Sequence, residues 1–152
     1  METKTLNLPN HLLIPQVKQL IEKGHTVTLR VKGHSMRIFL KNNRDLATLA
    51  PIKPEELKVG QVVLAEVTPN CYVLHRIIKL TPTSLTLLGD GNVNITEQCR
   101  PSDVIAVATA FYRKGRTTPD LTTGLKWRIY SKIWKWLTPF RRIILGVYSR
   151  LF

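Results

Sequence analysis

Ser35 and His75 are the two side chains of this sequence whose types and neighbours could support nucleophilic catalysis. A serine hydroxyl is a weak nucleophile at neutral pH, so it needs a base that accepts its proton and donors that stabilise the resulting oxyanion. Ser35 follows Gly33 at the end of a predicted strand, where glycine would let the backbone turn tightly and expose both the hydroxyl and the Ser35 N–H. Taken singly, Ser35 is more often an ordinary turn residue, and His75 more often a strand residue without chemistry.

Five short blocks occur in an order that is more specific than any one of them. They include Gly33-His34-Ser35-Met36, His75-Arg76 within an apolar strand, and Gly89-Asp90-Gly91-Asn92; the blocks span residues 33–40, 43–46, 57–63, 73–78 and 88–92. In this order they resemble the LexA and signal-peptidase superfamily of serine peptidases, and residues 103–107 fit its last strand. The resemblance covers roughly residues 27–112. It implies a mainly β, coiled-sheet fold like that of signal peptidases and the LexA C-terminal domain.

The resemblance also implies roles for individual residues. Bacterial signal peptidases and LexA-type proteins have a lysine base at the position of His75, whereas the endoplasmic-reticulum and archaeal-type signal peptidases have histidine there, assisted by an aspartate. Ser35 would then be the nucleophile, His75 the general base and Asp90 the acid that orients the imidazole. Gly33, Met36 and the Ser35 N–H would lie at the substrate and oxyanion position. No metal or cofactor is implied.

Several alternatives stay open at this stage. Asp103 competes with Asp90 as the orienting acid, and Lys79 lies four residues from His75 on the same strand face. His34 points away from its neighbour Ser35 if the chain is extended there. The superfamily's proline after Ser-Met is replaced by Ile38, and the aspartate of its second Gly-Asp box by Gln61.

The order of elements is predicted from hydrophobic periodicity and turn residues. We expect an N-terminal segment 1–24 with a helix over 10–23, a peptidase-like β domain over 25–112, a linker over 113–124 and a helical tail over 125–152. Within the β domain, the predicted strands are 25–32, 46–50, 61–67, 72–80, 84–88 and 103–111. From this pattern we expect no transmembrane helix, no secretory leader and no DNA-reading module before the first strand.

The tail differs from the rest of the chain in charge. The protein has a formal net charge of +13, and after residue 112 ten Lys and Arg side chains face the single acid Asp120. A helix over 125–137 would collect its apolar side chains in one broad arc: Leu125, Trp127, Ile129, Tyr130, Ile133, Trp134, Trp136 and Leu137. This composition favours a helix lying on an anionic membrane surface or a partner, then packing on the protein's own sheet, and lastly nucleic-acid binding.

Together these features predict a serine endopeptidase that cleaves a peptide or precursor protein. We expect it to be cytoplasmic and peripheral on the inner membrane face, with Cys71 and Cys99 as free thiols. A catalytically inactive peptide-binding module of the same fold is one alternative, in which an extended segment docks on a sheet edge. A basic adaptor that binds a membrane or nucleic acid is another.

Overall fold

The computed structural model describes residues 8–152, and the predicted N-terminal segment is therefore described from Leu8 onwards. The predicted helix over 10–23 is confirmed as α1, Asn10–Glu22. Its apolar side chains Ile14, Val17 and Ile21 recur at helical spacing and are buried. The helix therefore packs on the protein through one face.

Residues 8–152 contain eight strands: β1 Val27–Arg30, β2 Leu46–Ala50, β3 Val62–Thr68, β4 Cys71–Leu80, β5 Leu85–Leu88, β6 Thr96–Cys99, β7 Val104–Tyr112 and β8 Asp120–Leu121. They form an antiparallel, curled half-barrel sheet in the order β1-β2-β7-β3-β4-β5-β6, with β8 paired to β7. The mainly β class predicted from the sequence is thus confirmed. All six predicted strands occur, and β6 and β8 were not predicted.

Each face of the sheet has its own apolar core, because alternate residues of a strand point to opposite faces. One core lies under α1 and includes Leu49, Leu64 and Phe111. The other includes Val63, Ile77 and Leu87. His75 is paired with Val63 across β3 and β4 and so shares the second face.

The C-terminal segment packs on the sheet. It consists of α2, Leu125–Trp136, and α3, Arg141–Leu151, joined by a 3-10 turn over Thr138–Phe140. The predicted linker 113–124 is structured, since it contains β8 and an ion pair between Arg113 and Asp120 at 2.9 Å.

The predicted single apolar arc of α2 is divided into two faces. Trp127 and Trp134 are buried, and Trp127 packs against Phe39 with ring centroids 4.7 Å apart. The arc is wider than the surface that one sheet can cover, so its far side stays exposed. The exposed apolar residues of α2 are Leu125, Ile129, Ile133 and Trp136.

Candidate active site

Ser35 lies in the loop that joins β1 to β2, and this loop is held from both sides. Gly33 has φ +91°, a conformation that glycine adopts at little cost, and its N–H donates to Asn42 Oδ1 at 2.8 Å. Met36 and Leu40 anchor the loop in the core, with 2% and 1% of their surface exposed. Ser35 itself is half-buried.

The turn over residues 89–92 packs directly against the Ser35 loop. The Gly91 N–H donates to the Ser35 carbonyl at 2.6 Å. A Cβ atom on Gly89 would collide with the Ser35 carbonyl. A Cβ atom on Gly91 would collide with the His34 carbonyl and would lie 3.1 Å from the Arg37 backbone nitrogen. Only glycine leaves room for this approach, so these two motifs, separate in the sequence, form one unit.

Asp90 is the centre of a buried polar cluster. Its carboxylate accepts two hydrogen bonds from Arg76, at 2.8 and 2.7 Å, and a third from the Tyr130 hydroxyl at 3.0 Å. The Trp134 indole donates to the Asp90 carbonyl at 3.1 Å. Burial and the Asp90 charge raise the pKa of Tyr130, which keeps its hydroxyl protonated as a donor. Asp90 therefore joins β4, the turn and α2.

The acid that contacts the imidazole is Glu97. His75 Nδ1 lies 2.8 Å from Glu97 Oε2, with the imidazole buried and the carboxylate partly exposed. The prediction that Asp90 orients His75 is wrong in this geometry, because Asp90 is engaged by Arg76.

The register of the sheet explains why Glu97 reaches the imidazole. Glu97 is paired with Leu87, and Leu87 with Ile77, so all three side chains share a face. His75, two residues before Ile77 on β4, has the same orientation. Sequence reasoning missed Glu97 because β6 was not predicted, although Glu97 is one of three acids between His75 and the end of β7.

Ser35 and His75 line the same cavity, which has a volume of about 150 Å³. Both predicted catalytic residues thus border one cavity, but the His75 side chain belongs to the Val63 face of the sheet, whereas Leu64 and Leu74 of the cavity belong to the opposite face. In the described part of the chain, Ser35 and His75 are not hydrogen-bonded to each other. Neither the Ser35 hydroxyl nor His75 Nε2 has a hydrogen-bond partner among residues 8–152.

The cavity runs between two strand edges. Residues 29–32, in and just after β1, form one wall, and residues 72–75 of β4 form the opposite one. Within the described residues, β1 pairs only with β2, and the first half of β4 pairs only with β3, since β5 begins to pair at Arg76. The first turns of α1 close the cavity through Asn10 and Leu13.

The other candidate residues have different surroundings. The Gly33 N–H is taken by Asn42, and the sulfur of Met36 accepts the Asp90 N–H at 3.4 Å, so both support the loop. In the described part of the chain no acceptor binds the Ser35 N–H. Asp103 accepts the Arg100 N–H at 2.8 Å and is the last residue of the 3-10 turn Pro101–Asp103.

Two remaining candidates, His34 and Lys79, have exposed side chains. Both cysteines are free thiols; Cys71 is exposed, and burial of Cys99 raises its pKa to about 11, with Asp103 contributing. Among residues 8–152 no group of three His, Cys, Asp or Glu side chains could hold a metal ion.

In comparisons with known proteins, no family model matches this chain and no curated protein matches it at a significant level.

Proposed function

We propose that the protein is a serine endopeptidase of the signal-peptidase and LexA type, with Ser35 as nucleophile, His75 as general base and Glu97 as the acid that orients the imidazole. The observation that supports this proposal most is that Ser35 and His75 border the same cavity, with a carboxylate hydrogen-bonded to Nδ1 of the imidazole. A nucleophile, a base and an orienting acid are the parts that acyl transfer requires.

The proposed reaction has two steps. Ser35 Oγ attacks the scissile carbonyl carbon while His75 Nε2 takes the hydroxyl proton, and the Ser35 N–H stabilises the oxyanion. The amine then leaves with the proton from His75, and an acyl ester forms on Ser35. Water, deprotonated by His75, releases the acid and restores Ser35. Glu97 would stabilise the imidazolium that forms in each step.

Two strand edges that have no partner strand within residues 8–152 support an extended peptide as substrate. A peptide that enters the cavity as a strand could hydrogen-bond to the edges of β1 and β4 and present its carbonyl to Ser35. The apolar side chains Leu29, Leu64 and Leu74 along this cavity favour small or apolar substrate side chains.

Labelling with a fluorophosphonate probe tests the proposal. The wild-type protein should form a covalent adduct at Ser35, Ser35→Ala should form none, and Ser149→Ala, which removes an exposed hydroxyl on α3, should label like the wild type. Digestion of a denatured proteome, followed by mass spectrometry of new termini, would give the cleavage site. Equal labelling of Ser35→Ala and wild type would contradict the assignment of the nucleophile.

The same edges support a second candidate, an inactive peptide-binding module. It is favoured by the lack of a hydrogen bond between Ser35 and His75 within residues 8–152. This candidate predicts saturable peptide binding with no labelling and no cleavage.

A location on an anionic membrane surface is also part of the proposal. No helix within residues 8–152 has the length and apolar content needed to cross a bilayer. The outer face of α2 is nevertheless apolar, and α3 adds exposed Ile143, Val147 and Leu151 beside the basic side chains of both helices. An apolar stripe flanked by Lys and Arg suits binding at the lipid headgroups.

A further inference from the structure

A second cavity, of about 340 Å³, lies between α2, the start of α3 and the sheet. We call it the Arg141 cavity. Its walls are largely apolar and include Ile78, Leu88 and Trp134. Its volume is at the lower end of the range found for small-molecule sites. It shares no lining residue with the cavity of Ser35 and His75.

Arg141 is the unusual residue of this cavity. Only 4% of its surface is exposed, and its Nε and Nη1 atoms are buried without a hydrogen-bond partner among the described residues. The Arg141 guanidinium makes a cation–π contact with the Trp134 ring, whose centroid lies 5.0 Å from the guanidinium carbon. A buried charged group without hydrogen bonds is costly, and folded proteins rarely leave one uncompensated.

The carboxylate whose charge acts on Arg141 is that of Asp90, and it does not supply the missing hydrogen bonds. Its oxygens accept hydrogen bonds from Arg76 and Tyr130. Burial lowers the pKa of Arg141, and the attraction of Asp90 only partly offsets this effect. The guanidinium nevertheless stays charged at neutral pH. The wall of the cavity therefore holds a buried positive charge that the described contacts leave unneutralised.

Two lysines add to this charge. Lys132 and Lys135 on α2 line the cavity and are exposed. From residue 121 to the end of the chain there is no acidic side chain that could neutralise them. The local field thus attracts anions and disfavours cations, while the walls favour an apolar group.

We infer that the Arg141 cavity binds an amphipathic anion, with a carboxylate or phosphate against Arg141 and an apolar chain against Ile78, Leu88 and Trp134. A free fatty acid and the headgroup of an anionic lipid share this chemistry. Lys132 and Lys135 assist at the mouth. The inference does not depend on peptidase activity, because the two cavities are separate.

Thermal unfolding and calorimetry with octanoate and octyl phosphate test the inference, with 1-octanol as the uncharged control. Each anion should raise the Tm of the wild-type protein and bind saturably, whereas octanol should do neither. A short-chain phosphatidylglycerol, used as a monomer in solution, separates the two sources. Tighter binding of this lipid than of octanoate identifies a lipid headgroup, and the reverse order identifies a free acid.

Arg141→Leu should weaken anion binding about tenfold or more, since a charge-assisted contact is lost. Without ligand its Tm should equal or exceed that of the wild type, because an unpaired buried charge is removed. Arg150→Leu, an exposed arginine of α3, should change neither quantity. If Arg141→Leu does not fold, Ile78→Glu at the partly exposed wall should weaken binding by charge repulsion.

Three results would overturn the inference. The first is that none of the three anionic probes binds saturably, and the second is that octanol binds as tightly as the anions. The third is that the folded Arg141→Leu variant binds the anions with wild-type affinity. If that variant does not fold, wild-type affinity in Ile78→Glu counts as the third result.

Discussion

The imidazole of His75 is hydrogen-bonded to Glu97, with Nδ1 and Oε2 2.8 Å apart, across the width of β5. The contact holds the ring through Nδ1 and leaves Nε2 as the nitrogen that could accept a proton. Glu97 therefore makes the contact with the imidazole that the family resemblance implied for Asp90. The two acids have separate functions, one on the imidazole and one in the buried ion pair.

Glu97→Gln should slow fluorophosphonate labelling of Ser35 by about 10²–10⁴-fold, because an amide can favour the wrong imidazole tautomer and cannot stabilise the imidazolium. The labelling rate is measured at neutral pH, on variants shown to be folded. Asp103→Asn, which changes the other acid considered from the sequence, should keep a rate close to that of the wild type. The reverse order of the two variants would contradict the role given to Glu97.

Breaking the buried pair of Arg76 and Asp90 should strongly destabilise the fold. Asp90→Asn leaves the Arg76 guanidinium buried without its charge partner, and such changes cost about 3–5 kcal/mol. Urea denaturation measures the free energy of unfolding. Asp120→Asn breaks more accessible ion pairs and should cost less. Equal losses in the two variants would argue against a central structural role for Asp90.

Gly91→Ala should both destabilise the protein and slow labelling of Ser35. The new Cβ would press on the His34 carbonyl and shift the loop that presents the nucleophile. Gly146→Ala is a matched control, because its Cβ meets open space in α3 and alanine favours a helix by about 0.5–1 kcal/mol. The free energy of unfolding in urea and the labelling rate are measured for both variants. If Gly91→Ala matches the wild type in both quantities, the close contact between the 89–92 turn and the Ser35 loop is refuted.

Asp45 should make stability depend on acidic pH. Burial alone raises its pKa, but hydrogen bonds from the Arg44 side chain and the Lys41 and Lys114 N–H groups outweigh this and leave the pKa lowered from 3.8. The folded state then holds the proton less tightly than the unfolded chain. The stabilisation is complete above the unfolded value and is lost as the pH falls through the lowered folded value.

Asp45→Asn should therefore lower the free energy of unfolding at neutral pH. As the pH falls below about 4, the free energy of unfolding should then decrease less in this variant than in the wild type. Urea denaturation at a series of pH values measures this, with the exposed Glu55→Gln as control. An unchanged slope in Asp45→Asn would show that other acids cause the acid sensitivity.

The outer face of α2 should bind anionic membranes. The double variant Ile129→Asn with Ile133→Asn removes apolar surface that is about half exposed and should reduce co-sedimentation with phosphatidylglycerol vesicles. Ile95→Asn changes an exposed isoleucine of the β5–β6 connection and should sediment like the wild type. Sedimentation should also fall with added salt, since Lys and Arg contribute to binding. Unchanged sedimentation of the double variant would exclude this face.

Periodicity and turn residues were enough to predict α1, α2 and six of the eight strands found in residues 8–152, because each of these elements has a continuous local pattern. The strand β6 was missed since Thr96-Glu97-Gln98-Cys99 has little apolar alternation, and β8 has only two residues. Both short strands are stabilised by their neighbours in the sheet, β5 and β7, rather than by their own composition.

Residue types and their order along the chain are enough to indicate which side chains could do chemistry: Ser35 after Gly33, His75 in an apolar strand, and an acid further on. Tertiary structure alone decided which acid contacts the imidazole, because Arg76, next to His75, points to the other face of β4 and engages Asp90. It also decided which apolar side chains of α2 are buried and which are exposed. Local periodicity defines the apolar arc of the helix, but the extent of the sheet surface that it packs against defines how much of the arc is buried. Ser35 and His75 are forty residues apart, and only the curling of the sheet brings the β1 and β4 edges together around one cavity.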